Sequence, residues 1–209
     1  MSRILVLYGT TDGHTRKIAE ALRDDLQNEG CRVDVVDAAE ATVSDRPEEY
    51  QGVIVAASLH IGEYQRPVQR WVRAHAAALN ARPSAFLSVC LAVVERRPEA
   101  RADAEHIMQK FLDRCGWRPA SSRLVAGAVP FTRYGWLKRM AMKRIVAEAG
   151  GDPDTTRDYE YTDWNDLRAF AADFVRRHEL AALSSVDKAL ASEQLDLISS
   201  TREAAGEPA

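Results

Sequence analysis

Five consecutive apolar residues, Val53-Ile54-Val55-Ala56-Ala57, constrain the fold of this 209-residue chain more than any other feature. A strand with one face in water alternates polar and apolar residues, whereas a strand that is apolar throughout must be covered on both faces. Such strands belong to parallel sheets, whose neighbours are joined by crossover helices. The chain keeps this rhythm from its start. Ile4-Leu5-Val6-Leu7 leads through Tyr8-Gly9-Thr10-Thr11-Asp12-Gly13-His14-Thr15 into a helical pattern with Ile18, Ala19, Leu22 and Leu26 on one face.

The later segments repeat it. Gly30 suits a helix end, and Cys31–Val36 alternates like a strand nearer a sheet edge. Pro67 suits the first turn of a helix whose inner face is Val68, Trp71, Val72, His75 and Leu79. Ala85–Val89 reads as a fourth strand. Pro98 then precedes a helix with Ala104, Ile107, Met108, Phe111, Leu112 and Cys115 at helical spacing. Leu124–Val129 reads as a fifth strand, stopped by Pro130. Residues 130–158 are too long for a strand-to-helix loop. Tyr159–Thr162 is expected to resume the sheet, with Thr162 or Asp163 capping a last helix that buries Leu167, Phe170, Ala171, Phe174 and Val175.

Strands alternating with helices predict an α/β fold, a three-layer αβα arrangement around a five-stranded parallel sheet. We read residues 1–180 as one domain, with an insertion at about 130–158. Residues 181–209 turn to Ala, Ser and Glu and read as a frayed, helical or disordered tail. A formal net charge of −3 gives no reason to expect nucleic-acid binding. No apolar run approaches the roughly 20 residues of a membrane span. The chain enters its first strand with no signal-peptide pattern. Three scattered cysteines, Cys31, Cys90 and Cys115, have no metal spacing and fit a reducing cytoplasm. No metal site is expected.

Ligands of such sheets bind outside the carboxyl ends of the strands, where the strand order reverses. Three loops are placed to meet there: Thr10–Thr15, Ser58-Leu59-His60-Ile61-Gly62, and Ser88-Val89-Cys90-Leu91. The first leaves free amides at a helix start, where the helix dipole adds positive charge, and supplies the hydroxyls of Thr10, Thr11 and Thr15. It suits a phosphate monoester; an ordinary turn capped by Thr and Asp is the other reading of that loop alone. One phosphate loop and two loops able to flank a flat ring make a flavin site. Neither a GxGxxG fingerprint nor a Walker loop is present.

The loop Thr10-Thr11-Asp12-Gly13-His14-Thr15 resembles the Thr/Ser-x-Thr-Gly-x-Thr phosphate loop of flavodoxins, with Asp12 in place of a hydroxyl residue. A carboxylate beside a phosphate is unfavourable unless Asp12 turns outward or caps the helix. That departure is also a feature of the menaquinone-dependent protoporphyrinogen IX oxidases, flavodoxin-like enzymes of haem synthesis. Over roughly residues 3–178 the chain is similar to that family. The likeness rests on Thr11–Arg16, Ala57–Gly62, Pro83–Val89, Gly116–Pro119, Val125–Ala128, Arg133–Trp136, Gly150–Thr155 and Tyr161–Trp164. The resemblance implies one FMN as cofactor and protoporphyrinogen IX as substrate. It also implies menaquinone or ubiquinone as electron acceptor and a place on the cytoplasmic face of the inner membrane. Electron-carrier flavodoxins and FMN-dependent NAD(P)H:quinone reductases are the alternative functions.

Within the insertion, Phe131–Ala147 carries five cations, Arg133, Lys138, Arg139, Lys143 and Arg144, and no acid. Trp136 and other apolar residues interleave with them. Basic residues favour an anionic leaflet and aromatics favour its interface. Contact with the membrane or with substrate carboxylates is one reading; a lid helix packed by Trp136 and Met140 is the other. His60 is expected to be a hydrogen-bonding loop residue. Cys90 is expected to be a small neighbour of the ring and no redox thiol.

Overall fold

A computed structural model describes residues 1–95, 97–133, 140 and 154–180. Five strands form one sheet: β1 (Arg3–Gly9), β2 (Arg32–Asp37), β3 (Gly52–Ser58), β4 (Ser84–Cys90) and β5 (Ser121–Ala126). Their spatial order is β2-β1-β3-β4-β5, and every pair is parallel. This is the flavodoxin-like doubly wound order, with the reversal between β1 and β3.

The sheet's period of two sorts its side chains into two cores. Ile4, Val6, Tyr8, Ile54, Ala56 and Leu87 face one side, packed by α1 (His14–Asn28) and the terminal helix α5 (Trp164–Arg177). Leu5, Leu7, Val53, Val55, Ala57 and Phe86 face the other. That side is covered by α2 (Arg66–Ala74), α3 (Ala76–Asn80) and α4 (Pro98–Cys115). All seven residues of β3 are buried, as a strand between two helical layers requires. Polar groups inside the second core are paired: Trp117 Nε1 donates to Ser84 Oγ at 3.0 Å, and Ser84 Oγ donates to the Leu79 carbonyl at 3.0 Å.

The structure corrects three sequence expectations. The helix expected to run from Pro67 to Leu79 is broken into α2 and α3 at His75, whose ring rests on Trp71 at 4.9 Å. The fifth strand begins earlier, at Ser121, and ends at Ala126, before Gly127. Ala128–Val129 (β6) leaves the sheet and pairs antiparallel with Tyr159–Glu160 (β7). Tyr159–Thr162 therefore does not resume the main sheet; it returns the chain through a two-stranded ribbon beside it. Asp163, not Thr162, caps α5, accepting from the amides of Asn165 and Asp166 at 3.0 and 3.1 Å. The tail 181–209 lies outside the described residues.

Gly9 sets how closely α2 approaches β1. A Cβ there would lie 2.4 Å from Val68 Cγ2 and 3.0 Å from Gln65 Oε1. Overpacking of this kind costs about 1–3 kcal/mol. Gly9→Ala should lower the urea midpoint accordingly, with an unchanged slope.

Candidate functional site

At the carboxyl ends of β1, β3, β4 and β5 the structure forms a cleft of roughly 240 Å³. Thr10, Asp12, His14 and Thr15 line it from the first loop. Ser58, Leu59, His60 and Ile61 line it after β3, and Val89, Cys90 and Leu91 after β4. The three loops meet because β1, β3 and β4 are consecutive parallel neighbours; the pairing continues past β3, with Leu59 N donating to the Val89 carbonyl at 2.8 Å.

Four candidate residues are placed differently. Ser88 is fully buried within β4, and its Oγ accepts from Tyr64 at 2.8 Å. Thr11 is exposed and accepts from Gln65 Nε2 at 3.0 Å. Gly13 and Gly62 shape the backbone rather than the wall, with φ of 90° and 76°. Ser58, Val89 and Cys90 belong to strand ends, not loops. Gly13 is the N-cap residue of α1, and Asp12, half-buried, lines the cleft.

The first loop is shaped for an acceptor. Gly13 N donates to Thr10 Oγ1 at 2.9 Å, folding the loop back, and Gly13 takes the left-handed conformation that only glycine adopts cheaply. The amides that start α1 have no intrahelical acceptors. Thr15 is 1% exposed, and its Oγ1 has no hydrogen-bond partner among the described residues. A buried hydroxyl left so costs about 1–3 kcal/mol, which a bound acceptor would recover.

Two side chains that sequence reasoning missed hold this loop. Gln65, at the N-cap of α2, donates from Nε2 to Ser58 Oγ at 2.6 Å and to Thr11 Oγ1 at 3.0 Å, joining the first and second loops. Thr162 Oγ1 donates to the Ala126 carbonyl at 2.7 Å and sits 2.6 Å from His14 Nε2. One hydroxyl has one proton, so Thr162 accepts from His14, and the imidazole proton lies on Nε2. The sequence marked Thr162 only as a helix-cap candidate and part of the Tyr161–Trp164 stretch, and Gln65 not at all. Gly127 and Ala128 also line the cleft unannounced.

Burial lowers the His14 pKa; the nearby Glu160 carboxylate raises it and Lys17 lowers it. His14 Nδ1 lies 3.9 Å from Glu160 Oε2. Burial works against ionised Glu160, but hydrogen bonds from Lys17 and Trp164 outweigh it and hold that carboxyl below its usual range. The Cys90 thiol is buried and its pKa is pushed up, so it carries no thiolate character. His60 pairs its backbone with Glu63 on both sides, N to O at 2.9 and 3.0 Å. The tight turn between them puts Ile61 at φ 49° and leaves its side chain fully exposed.

The insertion starts and ends at this cleft. Leu91 packs with buried Val129 and Phe131 and with Tyr159 and Tyr161. Thr132 donates from N and Oγ1 to Asp158 Oδ1, each at 2.8 Å, closing the base. Trp136, Lys138, Arg139, Lys143 and Arg144, and the side chain of Arg133, lie outside the described residues. Among the described residues no helix is long and apolar enough to cross a membrane, and no metal-binding cluster occurs.

Because its folded pKa is lowered, His14 binds its proton later than in the unfolded chain. Its contribution to stability is therefore full above the ordinary value of about 6.5 and is lost as pH falls below it. Denaturation of the ligand-free protein between pH 7.5 and 5 should show a decline, and His14→Gln should flatten it.

Comparison with known proteins agrees with this geometry. Residues 5–156 match the flavodoxin-domain family. An Escherichia coli strain K12 protein named protoporphyrinogen IX dehydrogenase (quinone) is 38% identical over 81% of this chain and 92% of its own length. A Leishmania major protein of the same name is 35% identical over 82% of this chain and 74% of its own. A solved archaeal flavodoxin superposes with a TM-score of 0.52 at 13% identity, covering 85% of this chain and 99% of that one. With the strand order, the matched family model and this degree of identity in agreement, the chain belongs to the flavodoxin-domain family and, within it, to the quinone-dependent protoporphyrinogen IX dehydrogenases.

Proposed function

We propose that this chain is an FMN-dependent oxidoreductase that converts protoporphyrinogen IX to protoporphyrin IX in haem biosynthesis and passes the electrons to menaquinone or ubiquinone. The observation that carries the reading is 38% identity across 92% of the Escherichia coli enzyme. A cleft at the β1/β3 reversal, with a phosphate loop on one side, supports it.

The residues present fit FMN. Thr10, Thr15 and the free amides beginning α1 would hold the phosphate, with Thr15 Oγ1 gaining the partner it lacks. Thr11 and Gly13 keep that loop's shape, Thr11 through Gln65. Leu59, His60 and Ile61 would flank one side of the ring, and Val89, Cys90 and Leu91 the other. Bound there, FMN supplies a two-electron acceptor that also returns electrons to a quinone. The chain itself binds, orients and excludes water; no side-chain nucleophile is required. Neutral His14 holds its proton on Nε2, engaged by Thr162, and so braces the loop.

The catalytic unit is residues 1–180. The insertion's cations serve contact with the cytoplasmic face of the inner membrane, from which a lipid-soluble quinone reaches the ring. The insertion's closed base, Thr132 on Asp158 beside Leu91, supports this placement.

Two measurements test the reading. Under anaerobic conditions the FMN-loaded protein with protoporphyrinogen IX and a soluble ubiquinone should generate porphyrin fluorescence well above the protein-free rate. No excess, or equal quinone reduction from NADH, would overturn it. Thr15→Val removes a hydrogen bond worth about 1.5–3 kcal/mol if the hydroxyl meets a charged phosphate. It should raise the FMN dissociation constant about ten-fold or more while leaving the ligand-free fold as stable or slightly more so. Separately, changing Lys138, Arg139, Lys143 and Arg144 together to Glu should abolish binding to anionic liposomes; intact binding would remove the membrane role.

A further inference from the structure

A second cleft, of about 330 Å³, opens between α2 and α4 on the far side of the Ile61 turn. Its wall is apolar, with Tyr64 and Phe111 buried and their rings 4.8 Å apart. Its rim is cationic. Lys110 and Arg114 lie one turn apart on α4, His106 lies one turn before them, and Arg73 faces them from α2. Glu63 is the one acid in the lining. Among the described residues, Arg73, Lys110 and Arg114 have no carboxylate partner within ion-pair distance. Like charges at this spacing repel on a helix surface.

Ile61 lines both this cleft and the one at the β1/β3 reversal. A β-branched residue at positive φ is strained, and a fully exposed isoleucine gains nothing from burial. A turn of this kind ordinarily takes Asn or Gly. Such strain persists where function maintains it. The two clefts thus meet at an apolar step, one fit for a flat ring and the other for anions.

We propose that the α2/α4 cleft is a carboxylate-binding subsite: Arg73, Lys110 and Arg114 hold the propionate groups of the tetrapyrrole while its apolar body passes over Ile61 toward the flavin. This rests on the function proposed above. The substrate combines the two features the clefts offer, an extended apolar macrocycle and two carboxylates on one edge. Arginine fits carboxylates bidentately, and the flexible lysine supplies a third donor.

The test uses full-length FMN-loaded protein and two stable probes, mesoporphyrin IX and its dimethyl ester, followed by the shift of their main absorption band. The diacid should bind about ten-fold more tightly than the ester. Combined Arg73→Gln, Lys110→Gln and Arg114→Gln substitution should reduce the diacid to the ester's affinity, with FMN content unchanged. Equal binding of acid and ester by the original protein, or undiminished diacid binding by the variant, would overturn the subsite. So would loss of binding to phosphatidylglycerol vesicles in the variant that mesoporphyrin cannot compete for, which would make the cleft a lipid site. Turnover separates the two claims. A variant that oxidises protoporphyrinogen with an unchanged KM removes the subsite and leaves the function. A protein that binds the diacid through these residues yet does not oxidise protoporphyrinogen removes the function and leaves the subsite.

Discussion

The parallel ladder between β1 and β3 is the contact on which the other features depend. Register from Ile4 opposite Gly52 to Gly9 opposite Ala57 places two strand ends side by side, both pointing to the same edge. Chain order reverses there, since β1 goes on to β2 on one side and β3 to β4 on the other. No crossover helix can cover that point, so a crevice opens at it. The two apolar faces of these strands bury the helices that aim the loops into the crevice. The site is thus a consequence of the winding, and its chemistry is added by the loops.

Loops at a crevice are free to move unless polar contacts fix them. Here two short networks do so. Gln65 reaches from the start of α2 to both Ser58 and Thr11. His14 reaches from the start of α1 to Thr162, which is tied to the end of β5. The second network also fixes the returning arm of the insertion, because Glu160 of β7 accepts from Lys17 of α1 at 2.6 Å. The loop after β1, the sheet edge and the insertion's base are therefore one mechanically linked unit.

Strain and unmet polar demand both occur at this end of the molecule. Thr15 Oγ1 has no hydrogen-bond partner among the described residues, and Ile61 is held at positive φ. Elsewhere the buried polar groups are mostly paired, as Ser84 and Tyr64 illustrate. Folding alone does not favour such an arrangement, and a ligand that accepts from Thr15 and packs on Ile61 would relieve it.

The sequence by itself determined the layers. Unbroken apolar runs at Val53–Ala57 and the helical spacing of Ile18, Leu22 and Leu26 dictate a covered parallel sheet, because local period alone decides which faces must be buried. It also marked the three loops, since each follows such a run, and eleven of the fifteen cofactor-site candidates line the cleft. Only the tertiary structure decided the rest. That Tyr159–Glu160 would pair with Ala128–Val129 instead of the main sheet depends on partners about thirty residues away. That Gln65 and Thr162 would clasp the loop after β1 depends on contacts across 54 and 148 positions. Pairings of that range are fixed by how packed layers bring distant segments together, and no local periodicity encodes them.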